Sequence, residues 1–308
     1  MTITRISAGL FALSFLLLTF TAGAADQNAK WRDNLLRWRS QRARKLTGAE
    51  GWMSLVALDW LKAGDNAFGS AKDNAIAINK LPAHAGSFRL ENNRVTLLAP
   101  LGGFPKQIFV DGQMPHNGQA LVADDAGKPS KITDGTLTIL IIHRGDRFGI
   151  RVKDAKAPAI VDFHGLHWYA PDPAYRIRAR WIPYNPPKQI SVPTMIGTTE
   201  NYPVPGVAEF TVDGKSVRLE PVIEEPGDKQ FFFILRDETS KTTTYGASRF
   251  LYTDFPDHGL SQPGELLMDF NRLENPPCAY TPYATCPLPP PQNRLQVALP
   301  AGEQRYHK

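Results

Sequence analysis

The densest set of side chains able to do chemistry lies between Asp237 and Arg294. In T-T-Y-G-A-S-R-F-L-Y, strand alternation puts Tyr245, Ala247, Arg249 and Leu251 on one face. In L-L-M-D-F-N it groups Leu267, Asp269 and Asn271 opposite Leu266, Met268 and Phe270. Arg249 and Asp269 therefore interrupt half-apolar faces, where a charge needs a partner, and an Arg249–Asp269 pair is expected. Such a pair either fixes the neighbouring loop or floors a pocket. In the second case Tyr245, Asn271, Asn275 and Arg294 present polar groups to a ligand. A hydrolase or transferase would use Asp269 as its acid or base, oriented by Arg249 and helped by Tyr245. A close arginine favours the ionised carboxylate, which suits a base better than an acid.

Standard catalytic fingerprints are missing. The sequence has no G-x-S-x-G, H-E-x-x-H, G-x-G-x-x-G or calcium loop. Gly214-Lys215-Ser216 imitates the end of a phosphate loop, but Glu209 stands where its first glycine is required. His164 and His167 flank Gly165 in β-type text, where extended chain points them apart. No metal and no cofactor are expected.

Both cysteines, Cys278 and Cys286, fall in N-P-P-C-A-Y-T-P-Y-A-T-C-P-L-P-P-P-Q-N-R-L, with seven prolines between Pro276 and Pro291. That density excludes a helix or a central strand and leaves a stiff loop. Residues 1–25 read as a signal peptide: Arg5, an apolar run from Leu10 to Phe20, then Ala22-Gly23-Ala24. No cysteine follows the run to carry a lipid, so a periplasmic or secreted protein is expected. In an oxidising compartment the isolated cysteine pair becomes a disulfide.

The net charge of +5 is concentrated in one element. Lys30, Arg32, Arg37, Arg39, Arg42, Arg44 and Lys45 are opposed there by Asp33, and residues 49–308 carry a net of −1. A neutral body argues against nucleic acid as a partner. Residues 26–48 read as a basic amphipathic helix ended by Gly48, with Trp31, Leu35 and Trp38 as its apolar stripe. It packs on the body with its arginines in solvent, or lies on an anionic membrane.

From residue 49 to about 160 the text alternates in short strands, such as Arg94–Leu98 and Phe148–Lys153, and reads as a small β-sandwich. The Arg144-Gly145-Asp146 triplet is a tight turn there. A Pro-rich connection from Pro171 to Pro205 is interrupted by Tyr175–Trp181, whose alternation sets Arg176, Arg178 and Arg180 on one face. That face is a candidate contact for a protein partner. Strands resume to Phe270, including Thr243–Tyr252, within a C-terminal β domain at 161–308.

G-W-M-S-L-V-A-L-D-W-L, R-V-K-D, T-Y-G-A-S-R-F-L-Y, the whole proline–cysteine block and A-G-E resemble the bacterial domain-of-unknown-function family 1684. The resemblance covers nearly all the mature chain. It implies no established activity. Ser248 stands where relatives usually carry glycine. Phe68-Gly69-Ser70, Asn74-Ala75-Ile76, His84-Ala85 and Asn117-Gly118 also faintly resemble forkhead-associated sandwiches. Ser70, Leu81 and Pro82 replace the residues those domains use for phosphothreonine.

The expected architecture is mainly β: an N-terminal helix, a small sandwich, then an antiparallel sheet or barrel closed by the disulfide loop. The expected function is ligand binding, of a small molecule or glycan, or an envelope-associated role, with the hydrolase and the scaffold as alternatives.

Overall fold

A computed structural model describes residues 10–306, with side chains from residue 26 onward. Arg5 of the expected signal peptide lies outside the described residues. The first element, α1 (Leu10–Thr47), starts well before the expected residue 26, because the apolar run contains no helix breaker before Gly23. It ends before Gly48, as the sequence predicts. Among the described residues no helix is long and apolar enough to cross a membrane.

Two five-stranded sheets follow. The first is formed by β1 (Leu55–Trp60), β6 (Phe109–Val110), β8 (Lys131–Asp134), β9 (Leu137–Arg144) and β10 (Arg147–Asp154), in the order β1-β10-β9-β8-β6. The second has the order β3-β2-β4-β5-β7, from β2 (Gly64–Gly69), β3 (Ile76–Ala77), β4 (Gly86–Glu91), β5 (Arg94–Leu98) and β7 (Gln119–Leu121). Alternation turns Phe68, Phe88 and Leu97 of one sheet and Ile139, Ile141, Ile150 and Val152 of the other into a shared core. All pairings are antiparallel except the short β2–β3 contact.

The C-terminal part departs from the expected outline in its first strands. The supposed Pro-rich connection is a long hairpin, β11 (Arg176–Pro193) and β12 (Thr199–Val212). Its prolines are accommodated where the ladder breaks, between Pro183 and Lys188, and along exposed stretches. With β13 (Lys215–Leu219) and β16 (Gly264–Asp269) it forms a sheet of order β13-β12-β11-β16. Arg176, Arg178 and Arg180 do share a face, opposite Ala179 and Trp181 in the core. They reach Asp269, Glu265 and Glu209 respectively.

A separate pair, β14 (Gln230–Leu235) and β15 (Arg249–Asp254), covers this sheet. The expected strand Thr243–Tyr252 starts only at Arg249, because Asp237 caps a 3-10 turn at Glu238–Lys241 and draws the chain around it. None of the sheets closes, so the barrel alternative is set aside. The proline–cysteine block consists of short 3-10 turns and isolated bridges. The Cys278 and Cys286 sulfurs stand 3.4 Å apart as free thiols, so the structure contains no closed disulfide.

The β14–β15 pair has two distinct faces. Phe231, Phe233, Leu235 and Leu251 point into the large C-terminal core with Trp181 and Phe270. Phe232, Ile234 and Phe250 point the other way, into a smaller core beneath Cys286.

Candidate functional site

Arg249 and Asp269 are not partners. Arg249 lies opposite Leu235, on the face turned into the large core. Asp269 follows Leu267 on the outward face of β16, under α1. The alternation within each strand is as read, but the two faces belong to opposite sides of the packing. Arg249, fully buried, meets Asp237 at 2.9 Å and donates to the carbonyls of Leu299 (2.9 Å) and Ala301. Asp269 accepts from Trp31 Nε1 at 2.8 Å and from Asn271 Nδ2 at 2.9 Å. Asn271 in turn holds the backbone of Asp172. Tyr245 donates to the Cys278 carbonyl, and Arg294 to the Pro289 carbonyl. Among the expected set Asn275 lines a cleft between the two halves of the chain, and Asp269 lines a second hollow under α1.

The cleft between the two halves has a volume of about 540 Å³ and is walled by the β9–β10 turn, the outer face of β14–β15, Trp52 and the proline–cysteine loop. Register explains its floor. Val222 bridges Phe232, Phe232 faces Tyr252, and Phe250 bridges Glu274. Residues opposed across strands share a face, so Phe232, Phe250, Tyr252 and Glu274 all look into the cleft. Tyr252 stacks on Phe232 with ring centroids 4.8 Å apart.

Glu274 sits in an unusual charge arrangement. Arg42, reaching in from α1, meets Glu274 at 2.9 Å and Glu303 at 2.9 Å. Its remaining donors go to the Asn275 carbonyl at 2.7 Å and the Tyr280 hydroxyl at 3.4 Å. Glu303, 1% exposed, also accepts from the Asn275 backbone and side chain, both at 3.1 Å, and from Tyr280. Two carboxylates thus share one guanidinium. Burial, with Glu303 nearby, pushes the Glu274 carboxyl up to about 7 against the pull of Arg42. At the cleft mouth burial, Asp228 and Glu225 push Glu224 up to about 7 as well. Glu224 is solvent-exposed, however, and water screens its neighbours, so Glu274 carries the pH argument.

Because the folded-state pKa of Glu274 exceeds that of the unfolded chain, its protonation stabilises the fold. The contribution is complete below about pH 4.5 and is lost as pH rises through about 7, amounting to roughly 2–3 kcal/mol. Glu274→Gln should flatten that decline in urea-unfolding free energies measured across the range. An unchanged slope would count against the arrangement.

The sequence reading missed Arg39, Arg42, Glu274 and Glu303. Arg42 had a signal: it continues the Trp31–Leu35–Trp38 stripe by another four residues. Arg39 and Arg42 are therefore packed against the body, not solvated; Arg39 donates to the Tyr169 carbonyl at 3.0 Å. Glu303 follows Gly302, whose φ of +79° and lack of room for a Cβ beside Leu273 demand glycine in A-G-E. Among the described residues no group of three or more His, Cys, Asp or Glu is placed to hold a metal.

The β11–β16 sheets, the proline–cysteine loop and the A-G-E tail coincide with a family match. Residues 161–304 match the family described as "Protein of unknown function (DUF1684)", and the chain belongs to that family. Among solved structures, the chain is similar to the uncharacterized protein from gene locus rrnAC0354 of Haloarcula marismortui, at 32% identity with a TM-score of 0.40. That similarity covers 47% of this chain and 78% of the other. No match was found among curated proteins.

Proposed function

We propose that this chain is an exported binding protein whose ligand, a hydroxyl-rich molecule such as a glycan, occupies the cleft around Glu274. The observation that carries the reading is a pair of exposed aromatic rings beside a half-neutral carboxyl group. Trp52 and Tyr252 are 39% and 40% exposed, and both line the cleft with Glu274. Exposed rings supply flat apolar platforms, and a carboxyl group near its pKa both donates and accepts hydrogen bonds. Isothermal titration with a panel of neutral oligosaccharides tests it. Glu274→Gln should weaken a bound oligosaccharide about tenfold or more, in keeping with a lost charged hydrogen bond of about 1.5–3 kcal/mol. Binding unaffected by both Glu274→Gln and Tyr252→Ala would remove the cleft from consideration.

A second reading follows from the Glu274 carboxyl, raised to about 7 beside the exposed Trp52 and Tyr252 rings, which suits general acid–base hydrolysis of a glycoside. It replaces Asp269 with Glu274 as the working carboxyl. Reducing-sugar release that disappears in Glu274→Gln while oligosaccharide binding persists would select it over simple binding.

Export supports an oxidised cysteine pair. Asp26–Lys30 are exposed, and the described contacts of α1 with the body begin at Trp31, beyond the expected cleavage pattern. Removal of residues 1–25 leaves those contacts intact. Cys278 and Cys286 are already adjacent, and closing a loop of about nine residues adds roughly 2–3 kcal/mol. Protein purified from a periplasm should show no free thiol, and reduction should lower its melting temperature. Two titratable thiols per native chain would be the contrary result.

A further inference from the structure

Strand β16 turns Leu266 and Met268 into the large C-terminal core, and Leu267 and Asp269 outward, under α1. There the body and the helix border a hollow of about 950 Å³. Trp31, Trp38 and Lys45 line it from α1, each seven residues after the last. Seven residues are close to two helical turns, so the three stand in a row with steps of about 10 Å. Asn34 and Gln41 line the same hollow, and Gln230 joins them from the body. Along the helix, rings alternate with amide groups.

Two arginines are held there by the rings. The Arg176 guanidinium carbon lies 5.0 Å from the centre of Trp31, and that of Arg272 lies 5.1 Å from the centre of Trp38. Their Nε atoms stand 3.8 Å from Asp269 Oδ2, beyond hydrogen-bond reach, while Trp31 Nε1 takes that oxygen at 2.8 Å. Arg272 donates to Asn34 Oδ1 at 2.5 Å. Arg176 has no such bond to a described residue, and 31% of its side chain is exposed. Stacking engages the face of a guanidinium and leaves its in-plane N–H groups free. Each ring–arginine pair thus sets hydrogen-bond donors beside an aromatic surface.

This hollow and the cleft meet. Arg42, Leu46, Trp52, Tyr252 and Glu274 line both, and the two rings among them are the exposed ones. Each hollow alone falls within the roughly 300–1,000 Å³ of a single small-molecule site. Joined at Trp52 and Tyr252, they form a groove longer than one such molecule fills. Trp31 and Trp38 are also farther apart along α1 than one sugar ring reaches. We infer that the cleft ligand is a linear oligosaccharide that continues over Trp52 and Tyr252 into the hollow under α1. There the Trp38–Arg272 and Trp31–Arg176 pairs receive its further units, rings against sugar faces and N–H groups toward hydroxyls. This rests on the cleft being the glycan site and adds chain length to that reading.

Neutral cello-, malto- and chito-oligosaccharides, from the monosaccharide to the hexasaccharide, are the probes, titrated calorimetrically into the full chain. For the series that binds, the hexasaccharide should bind about tenfold or more tighter than the trisaccharide, the gain expected of added aromatic contacts. Leu267→Glu places a charge in the hollow at a position 42% exposed, so its melting temperature should stay near that of the wild type. It should abolish the gain with length, and Arg176→Gln should reduce it. Hexasaccharide binding no tighter than trisaccharide binding, or a length gain that survives both substitutions, would overturn the continuation. If Glu274→Gln and Tyr252→Ala still weakened the sugar in that case, the cleft would stand as a shorter glycan site. Failure of the cleft itself reads differently. Either no sugar of any length binds, or binding responds to Leu267→Glu and is indifferent to Glu274→Gln and Tyr252→Ala, and the continuation falls with it.

Discussion

Arg249→Ala should lower the unfolding free energy by about 3–5 kcal/mol, the range for removing one partner of a buried ion pair. Both partners, Arg249 and Asp237, have fully buried side chains. The arginine also gathers the tail, through the carbonyls of Leu299 and Ala301. Its loss leaves a charged Asp237 in the core and frees two carbonyls at once. Asp237→Ala should cost at least as much, because Asp237 also accepts from the Thr239 backbone at 2.9 Å and the Leu299 backbone at 3.1 Å. The double substitution should cost clearly less than the two singles added, by about 1–3 kcal/mol. Urea denaturation of the four proteins measures this directly. A loss below about 1 kcal/mol in Arg249→Ala would mean that the pair does not hold the tail.

The pairing error for Arg249 shows where the sequence stopped being legible. Period-2 alternation places Arg249 with Leu251 and Asp269 with Leu267, and both placements hold. What alternation cannot supply is which face of each strand meets the other, since that depends on how two separate sheets stack. Leu251 is buried and Leu267 is 42% exposed, so the two faces point to different worlds. The helix was legible in its apolar stripe, yet its arginines look soluble to any hydropathy pattern. Arg42 becomes a structural cation only because Glu274 and Glu303, more than 230 residues away, converge on it. The proline–cysteine loop was legible as stiff and non-helical, because proline restricts the chain locally and needs no tertiary context. The hairpin β11–β12 was not, because its ladder tolerates proline at a break that no local rule predicts.

These fasteners form one chain of command from the core to the cleft. Asp237 and Arg249 fix the tail, the tail carries Gly302 and Glu303, Glu303 holds Arg42, and Arg42 touches Glu274. Each link is a separate ionic or hydrogen-bonded contact, so the state of Glu274 depends on a residue that never reaches the cleft. The C-terminal segment, the A-G-E of the sequence, thus adds to the burial that raises the Glu274 carboxyl.

Glu303→Gln should reveal that dependence through a destabilisation that itself varies with pH. Removing the Glu303 charge takes away the partner that Arg42 relies on while Glu274 is protonated, at a cost of about 3–5 kcal/mol near pH 4.5. It also removes one of the causes that raise the Glu274 carboxyl and leaves Arg42 free to serve it. Glu274 should then ionise at lower pH and become the new partner. In the wild type, stability declines as pH rises from about 4.5 to about 7, because the folded form holds the Glu274 proton more tightly than the unfolded chain. In Glu303→Gln burial still favours the protonated form but the push from Glu303 is gone, so that decline should shrink. The two stability curves should therefore approach each other on going to pH 7.5. A pH-independent gap would show that Glu303 acts only as a packing element and that Arg42 does not couple the two carboxyl groups. A gap that closes on alkalisation, and closes no further when Glu274→Gln is added, assigns the coupling to the shared guanidinium.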